Sequence, residues 1–257
     1  WPVPAERYAR QEDATRGLET SLHPREPPEV DGARFEIWYE PSGGPLTVGG
    51  DFYDVLPRED GSALVVLGDI CGNGAEAAAL TGRVRHSLAA LNLVERDGPT
   101  LLRQLNQLLI SAGSSRFATL VLGSMARSPS GGLRLTLASG GHPAPLVVRR
   151  AGGVEEISLP GTLVGISPQA RFAEAVTDLA EGDVCLLYTD GITEARSRLS
   201  PAELYGDERL QELLAGCAGQ PGRVIVQRVR DAMVEWLGTT GHDDIAVLAI
   251  ECVGTGA

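Results

Sequence analysis

The feature that most restricts the fold is the order of strand-like and helix-like segments. Residues 33–40 alternate mostly apolar and polar side chains, as a half-buried strand does, and 51–56 and 62–68 read as two more strands. A helix of about 20 residues then opens at 72–74, and a second helix occupies 99–112. The remaining segments are strands at 117–124, 133–138, 145–149, 154–159, 172–178 and 184–188, helices within 201–237, and a last strand at 245–252. This order predicts an α+β domain in which two sheets pack together with helices outside.

The N-terminal residues differ from the rest of the chain. Residues 1–22 are polar and compatible with a helix, which the prolines between Pro24 and Pro28 would end. We therefore expect residues 1–28 to be a linker or signalling helix from an upstream domain, and 29–257 to be the folded domain. The chain starts at Trp1 rather than Met, which favours a piece of a longer protein.

Composition excludes several kinds of chemistry. The formal net charge is −12, which argues against nucleic acid and acidic membrane surfaces as partners. All 22 basic residues are arginine, so lysine chemistry is excluded. No apolar run is long enough to span a membrane. The four cysteines form no CxxC pair, which is typical of reduced thiols and predicts a cytoplasmic protein.

Aspartates stand at the ends of four apolar strands, beside glycine or a second aspartate. They are Asp51, Asp69, Asp190 and the pair Asp243 and Asp244. If these strand ends converge, the carboxylates repel one another unless a cation neutralises them, and oxygen ligands select Mg²⁺ or Mn²⁺. The alternative is that each aspartate is an ordinary turn former or N-cap. Pattern alone leaves the two readings about equal.

Five motifs, in order, carry a family resemblance. The chain resembles the bacterial SpoIIE/RsbU-type branch of the metal-dependent, 2C-type serine/threonine protein phosphatases. The resemblance covers about residues 18–252. The motifs are Val-Gly-Gly-Asp-Phe-Tyr-Asp-Val at 48–55, Gly-Asp-Ile-Cys-Gly-Asn-Gly at 68–74, Ser-Gly-Gly-His-Pro at 139–143, Leu-Tyr-Thr-Asp-Gly-Ile-Thr-Glu-Ala at 187–195 and His-Asp-Asp-Ile-Ala-Val at 242–247.

The resemblance implies a four-layer α-β-β-α sandwich that holds two Mn²⁺ or Mg²⁺ ions at one end. By position, Asp69 would bridge the ions, Asp51 and the backbone carbonyl of Ile70 would bind one, and Asp190 and Asp243 would bind the other. The remaining candidates lie around these ligands, namely Asp54, Asp244 and His242.

The chain departs from the larger eukaryotic relatives at two positions. Cys71 stands where they carry a histidine thought to act as a general acid, and no arginine is a secure phosphate ligand, so the phosphate-binding residue stays unknown. A turn role is favoured for His142 over substrate contact, and a surface ion pair is favoured for Arg196 over phosphate binding.

The resemblance implies hydrolysis of phosphoserine or phosphothreonine on a regulatory protein, by a water activated between the two ions. The expected substrate is a phosphorylated STAS-domain anti-sigma-factor antagonist, and a homodimer through the N-terminal helix is a further expectation. The alternatives are a catalytically weak partner-binding module of the same fold and a metal-dependent nuclease, which the acidic charge disfavours.

Overall fold

The computed structural model describes residues 26–42, 49–72, 74–113, 115–129, 131–238 and 242–254. The elements are, in chain order, β1 (Ala33–Glu40), β2 (Phe52–Pro57), β3 (Ala63–Ile70), α1 (Gly74–Leu91), α2 (Gly98–Ser111), β4 (Ala118–Arg127), β5 (Leu133–Gly140), β6 (Leu146–Val148), β7 (Val154–Glu156), β8 (Glu174–Leu179), β9 (Val184–Tyr188), α3 (Asp190–Thr193), α4 (Gly206–Ala215), α5 (Gly222–Leu237) and β10 (Ile245–Cys252).

The strands form two antiparallel sheets of five strands each. Sheet I has the order β1-β10-β9-β6-β7, and sheet II has the order β2-β3-β4-β5-β8. In β3 the residues alternate between two apolar layers. Val65 and Leu67 face sheet I across the sandwich, whereas Leu64 and Val66 face α1 and α2. Because successive side chains of a strand point to opposite faces, both faces of β3 are buried.

Three apolar layers hold the four-layer stack together. The middle layer lies between the sheets, for example at Leu135 and Leu248. The outer layers lie between sheet I and the helices α4 and α5, and between sheet II and the helices α1 and α2. The predicted α+β sandwich with helices on both sides is confirmed.

Local signals set several element boundaries. At the start of α2 the Asp97 carboxylate accepts a hydrogen bond of 2.8 Å from the backbone N–H of Thr100, and Pro99 occupies the first turn. The first long helix ends at Leu91, before Leu93 and Val94, whose side chains are 79% and 83% exposed and so gain nothing from continuing it.

The short helix α3 was not predicted. The predicted signalling helix at 1–28 lies almost entirely outside the described residues, as do Val48 and Asn73 of the motifs. No helix in the described part of the chain is long and apolar enough to cross a membrane.

Candidate metal centre

Two of the predicted ligands come from neighbouring strands of sheet II. Asp51 directly precedes β2, and Asp69 is the last residue but one of β3. These strands are antiparallel, with Phe52 opposite Gly68, so the start of one lies beside the end of the other. A hydrogen bond of 3.1 Å from the Ile70 N–H to the Gly50 carbonyl closes this corner.

The other two predicted ligands come from sheet I in the same way. Asp190 follows β9 and stands in the first turn of α3, and Asp243 precedes β10. The two strands are antiparallel, with Tyr188 opposite Val247, so the end of β9 lies beside the start of β10. Each sheet therefore delivers two aspartates from one pair of adjacent strands.

A buried hydroxyl joins the two pairs. Thr189, between β9 and Asp190, donates a hydrogen bond of 2.7 Å to Oδ2 of Asp51, which is only 6% exposed. The same hydroxyl accepts a hydrogen bond of 2.9 Å from the Ala246 N–H on β10. Thr189 was not assigned a role from the sequence, although its place one residue before a strand-end aspartate was the available signal.

Asp244 orders the loops around the site. It is 6% exposed, and its two carboxylate oxygens accept hydrogen bonds of 2.6 Å each, from the N–H groups of Ser42 and Gly50. A Cβ at Gly191 would lie 1.9 Å from the Asp244 carbonyl oxygen, which explains the glycine there. Asp244 thus ties the start of β10 to the segments that flank β1 and β2.

The carboxyl groups act on one another electrostatically. Burial, and then repulsion from Asp69, raises the pKa of Asp51 well above its ordinary value. Burial together with repulsion from Asp190, Asp243 and Asp244 raises the pKa of Asp69 to about 7. The pKa of Asp190 is raised by burial and by repulsion from Glu194 and Asp243. The sequence-predicted aspartates therefore share one electrostatic environment.

The donor set suits a hard divalent cation. A Cβ at Gly50 would lie 2.4 Å from the Ile70 carbonyl oxygen and 2.5 Å from Asp69 Oδ1, so these two oxygens crowd a position that only glycine fills. Asp243 itself is exposed. Among the described residues, no group of three or more His, Cys, Asp or Glu side chains is arranged to hold an ion as it stands.

The remaining candidates contact other groups. Asp54 accepts hydrogen bonds of 3.2 and 3.1 Å from the Arg85 guanidinium on α1. His242 lies with Nδ1 2.7 Å from the Asp243 carbonyl oxygen. The Arg196 guanidinium donates to the Pro201 carbonyl.

A guanidinium that the sequence did not single out lies beside the site. Arg116 donates a hydrogen bond of 2.8 Å to the carbonyl of Cys71 and forms an ion pair of 3.2 Å with Glu76. It covers Gly72, where a Cβ would lie 1.8 Å from Arg116 Nη1. The chain segment that leaves Asp69 is thereby held against the residues that precede β4.

Comparison with known proteins identifies the family and the fold. The sequence model of the family Stage II sporulation protein E (SpoIIE) matches residues 59–253, so the chain belongs to the SpoIIE family. Its fold matches that of solved 2C-type phosphatase domains. The structure of the RsbU and RsbW domains of Rv1364c from Mycobacterium tuberculosis superposes with a TM-score of 0.77 at 25% identity, over 90% of this chain and 62% of that one. RsbX, of the same fold, was solved in complex with magnesium.

Two curated relatives are longer than this chain. Protein IcfG of Synechocystis sp. is 24% identical over 263 residues, which covers 91% of this chain and 40% of that protein. Phosphoserine phosphatase RsbU of Bacillus subtilis is 22% identical over 203 residues, which covers 78% of this chain and 58% of that protein. The chain thus spans about half the length of these relatives.

In metal-free protein, stability should fall as the pH rises from about 5 to about 8. Across this interval the folded state holds more protons than the unfolded chain, because the pKa values of Asp51, Asp69 and Asp190 are raised, that of Asp69 to about 7. Thermal unfolding in chelator measures the effect. Asp69→Asn should raise the melting temperature at about pH 8, whereas Asp231→Asn on the exposed face of α5 should not. A melting temperature that rises over the interval would contradict this electrostatic account.

Gly50→Ala should weaken Mn²⁺ binding by about tenfold or more, because its Cβ would displace Asp69 or the Ile70 carbonyl. The matched control is Gly216→Ala, where φ is −73° and the nearest atom to a Cβ lies at 3.4 Å. Calorimetric titration of both variants gives the comparison. Equal Mn²⁺ affinities for Gly50→Ala and the native chain would show that the metal site does not need glycine at position 50.

Proposed function

We propose that the chain is a Mn²⁺- or Mg²⁺-dependent phosphatase that hydrolyses phosphoserine or phosphothreonine on a regulatory protein. The observation that carries the proposal is the meeting of four strand-end aspartates from both sheets, three with raised carboxyl pKa values. Membership of the SpoIIE family and the likeness to RsbU support the same activity.

The ligand assignment is the one that the resemblance to the 2C-type phosphatases implies, and the positions of the strand ends support it. Asp69 would bridge two ions, with Asp51 and the Ile70 carbonyl on one and Asp190 and Asp243 on the other. Such ions supply an activated water and neutralise phosphoryl charge. The chain's own groups keep the ligands in place. Thr189 holds one oxygen of Asp51, and Asp244 holds the Gly50 loop.

Likeness to known proteins also guides our proposals for the substrate, the neighbouring domain and the cell compartment. RsbU is a phosphoserine phosphatase, and the Rv1364c structure joins an RsbU domain to an RsbW domain, which supports a phosphorylated STAS-domain antagonist of an anti-sigma factor as substrate. The relatives are longer than this chain, which leaves room for a further domain, and we propose an upstream sensory domain that acts through residues 1–28 and a homodimer formed there. Four free cysteines, three of them buried, favour the cytoplasm.

A second candidate is a catalytically weak module that binds the partner and does no chemistry. The observation that favours it is the exposed Asp243, together with the absence from the described residues of a ligand set arranged to hold an ion as it stands. The two candidates differ in one measurable property, which is hydrolysis that requires a divalent cation.

Asp69→Asn should lower the rate of phosphate release from a phosphorylated STAS-domain protein by more than about a hundredfold, because the bridging position loses charge toward both ions. Asp231→Asn is the control, since that carboxylate lies on the exposed face of α5 and contacts Gln227. Phosphate release is measured with Mn²⁺ and with chelator. Hydrolysis that persists in chelator would reject the metal-dependent mechanism, and binding without hydrolysis would establish the second candidate.

A further inference from the structure

One buried histidine near the site is not used by the proposed chemistry. His142 follows β5 and is 7% exposed. Its backbone N–H donates a hydrogen bond of 3.1 Å to the Ser139 hydroxyl, and Nδ1 of its ring lies 3.0 Å from the Thr119 hydroxyl. Nε2 is buried and makes no hydrogen bond to the described residues. Burying a ring nitrogen that has no hydrogen-bond partner costs free energy. The turn contact between the His142 N–H and Ser139 therefore does not explain why the ring is buried.

The ring is neutral at physiological pH. Burial lowers the pKa of His142 to about 3, although the Tyr188 backbone favours the charged form. A neutral imidazole has one N–H donor and one acceptor nitrogen. When the Thr119 hydroxyl donates to Nδ1, the proton of the neutral ring resides on Nε2.

Thr119 lies next to the proposed bridging ligand. In the antiparallel pair of β3 and β4, Thr119 is directly opposite Asp69, two residues along from the pair Leu67 and Val121 that faces the interior of the sandwich, and so on the same face. Opposed residues on antiparallel strands place their side chains side by side on one face. Because His142 contacts Thr119, its position also affects the space beside the Asp69 side chain.

We propose that His142 is a positioning residue, which as the neutral Nε2–H tautomer holds the Thr119 hydroxyl and so fixes the wall of the site against Asp69. The ring thereby links the turn that follows β5 to the start of β4. This inference rests on the proposed metal site, because its effect on function is through the affinity for the ion.

Four variants test the proposal. Thr119→Val and His142→Leu each remove one partner, and their combination removes both. His142→Asn keeps a side-chain acceptor near the position of Nδ1. Thr136→Val on β5 and His86→Leu on the exposed face of α1 are the controls, because Thr136 pairs with Ser124 and the His86 ring lies beside the Gly82 carbonyl oxygen.

Calorimetry should show that Thr119→Val and His142→Leu each weaken Mn²⁺ binding by about ten- to a hundredfold. The double variant should be no weaker than the weaker single variant, because one contact is lost in each. His142→Asn should stay within about threefold of the native affinity, and saturating Mn²⁺ should restore the turnover rate of the single variants. Additive losses, or a lower melting temperature with unchanged Mn²⁺ affinity, would overturn the positioning role.

Nitrogen-detected NMR of the native protein supplies a test that needs no variant. The His142 ring should show the shift pattern of the Nε2–H tautomer at neutral pH with and without Mn²⁺, and an Nδ1–H tautomer or a charged ring would overturn the inference. If the native protein binds no Mn²⁺, the proposed function fails by itself. The inference is then decided by the His142 tautomer and by whether the effects of Thr119→Val and His142→Leu on the free energy of unfolding, measured without metal, are non-additive.

Discussion

The hydrogen bond from the Thr189 hydroxyl to Asp51 is the contact on which the site depends. It joins the end of β9 in sheet I to the start of β2 in sheet II, at a position almost sealed from solvent. Packing in the middle apolar layer holds the two sheets together. The buried Thr189 hydroxyl, which accepts from the Ala246 N–H and donates to Asp51, adds a directional contact between the sheets at the site.

The same corner concentrates negative charge, which the fold tolerates in two ways. Some carboxylate oxygens are occupied by N–H or O–H donors, as at Asp244 and Asp51. Burial and the charge of neighbouring carboxylates still raise the pKa values of Asp51, Asp69 and Asp190, a repulsion that a bound divalent cation would relieve. The close packing of these groups requires glycine at positions 50 and 191, because a side chain at either position would collide with oxygen atoms of the site.

The sequence predicted the layers and the strand-end aspartates well, because both follow from local patterns. Alternation in β1 and β5 and the apolar runs of β9 and β10 predicted strands, and the aspartates follow or precede these strands directly. From the pattern alone, a shared site and separate turn-forming aspartates were about equal, and the electrostatic coupling of Asp51, Asp69 and Asp190 to neighbouring carboxylates is visible only in the structure.

What the sequence could not predict depends on contacts distant along the chain. Asp244 accepts from Gly50, 194 residues away, and Thr189 donates to Asp51, 138 residues away. Asp54 was a candidate outer ligand by position, but its pairing with Arg85 follows from how α1 lies on β2. The contact between His142 and Thr119 was equally hidden, since a Gly-Gly-His-Pro turn gives no sign that the ring reaches that residue.

The central claim is that carboxylates of both sheets form one divalent-cation site. Anomalous diffraction from crystals soaked in Mn²⁺ tests it most directly. The account predicts two manganese peaks between the sheets, with Asp69 contacting both, Asp51 and the Ile70 carbonyl on one, and Asp190 and Asp243 on the other. Manganese bound elsewhere, or no peak at these aspartates at saturating Mn²⁺, would contradict it.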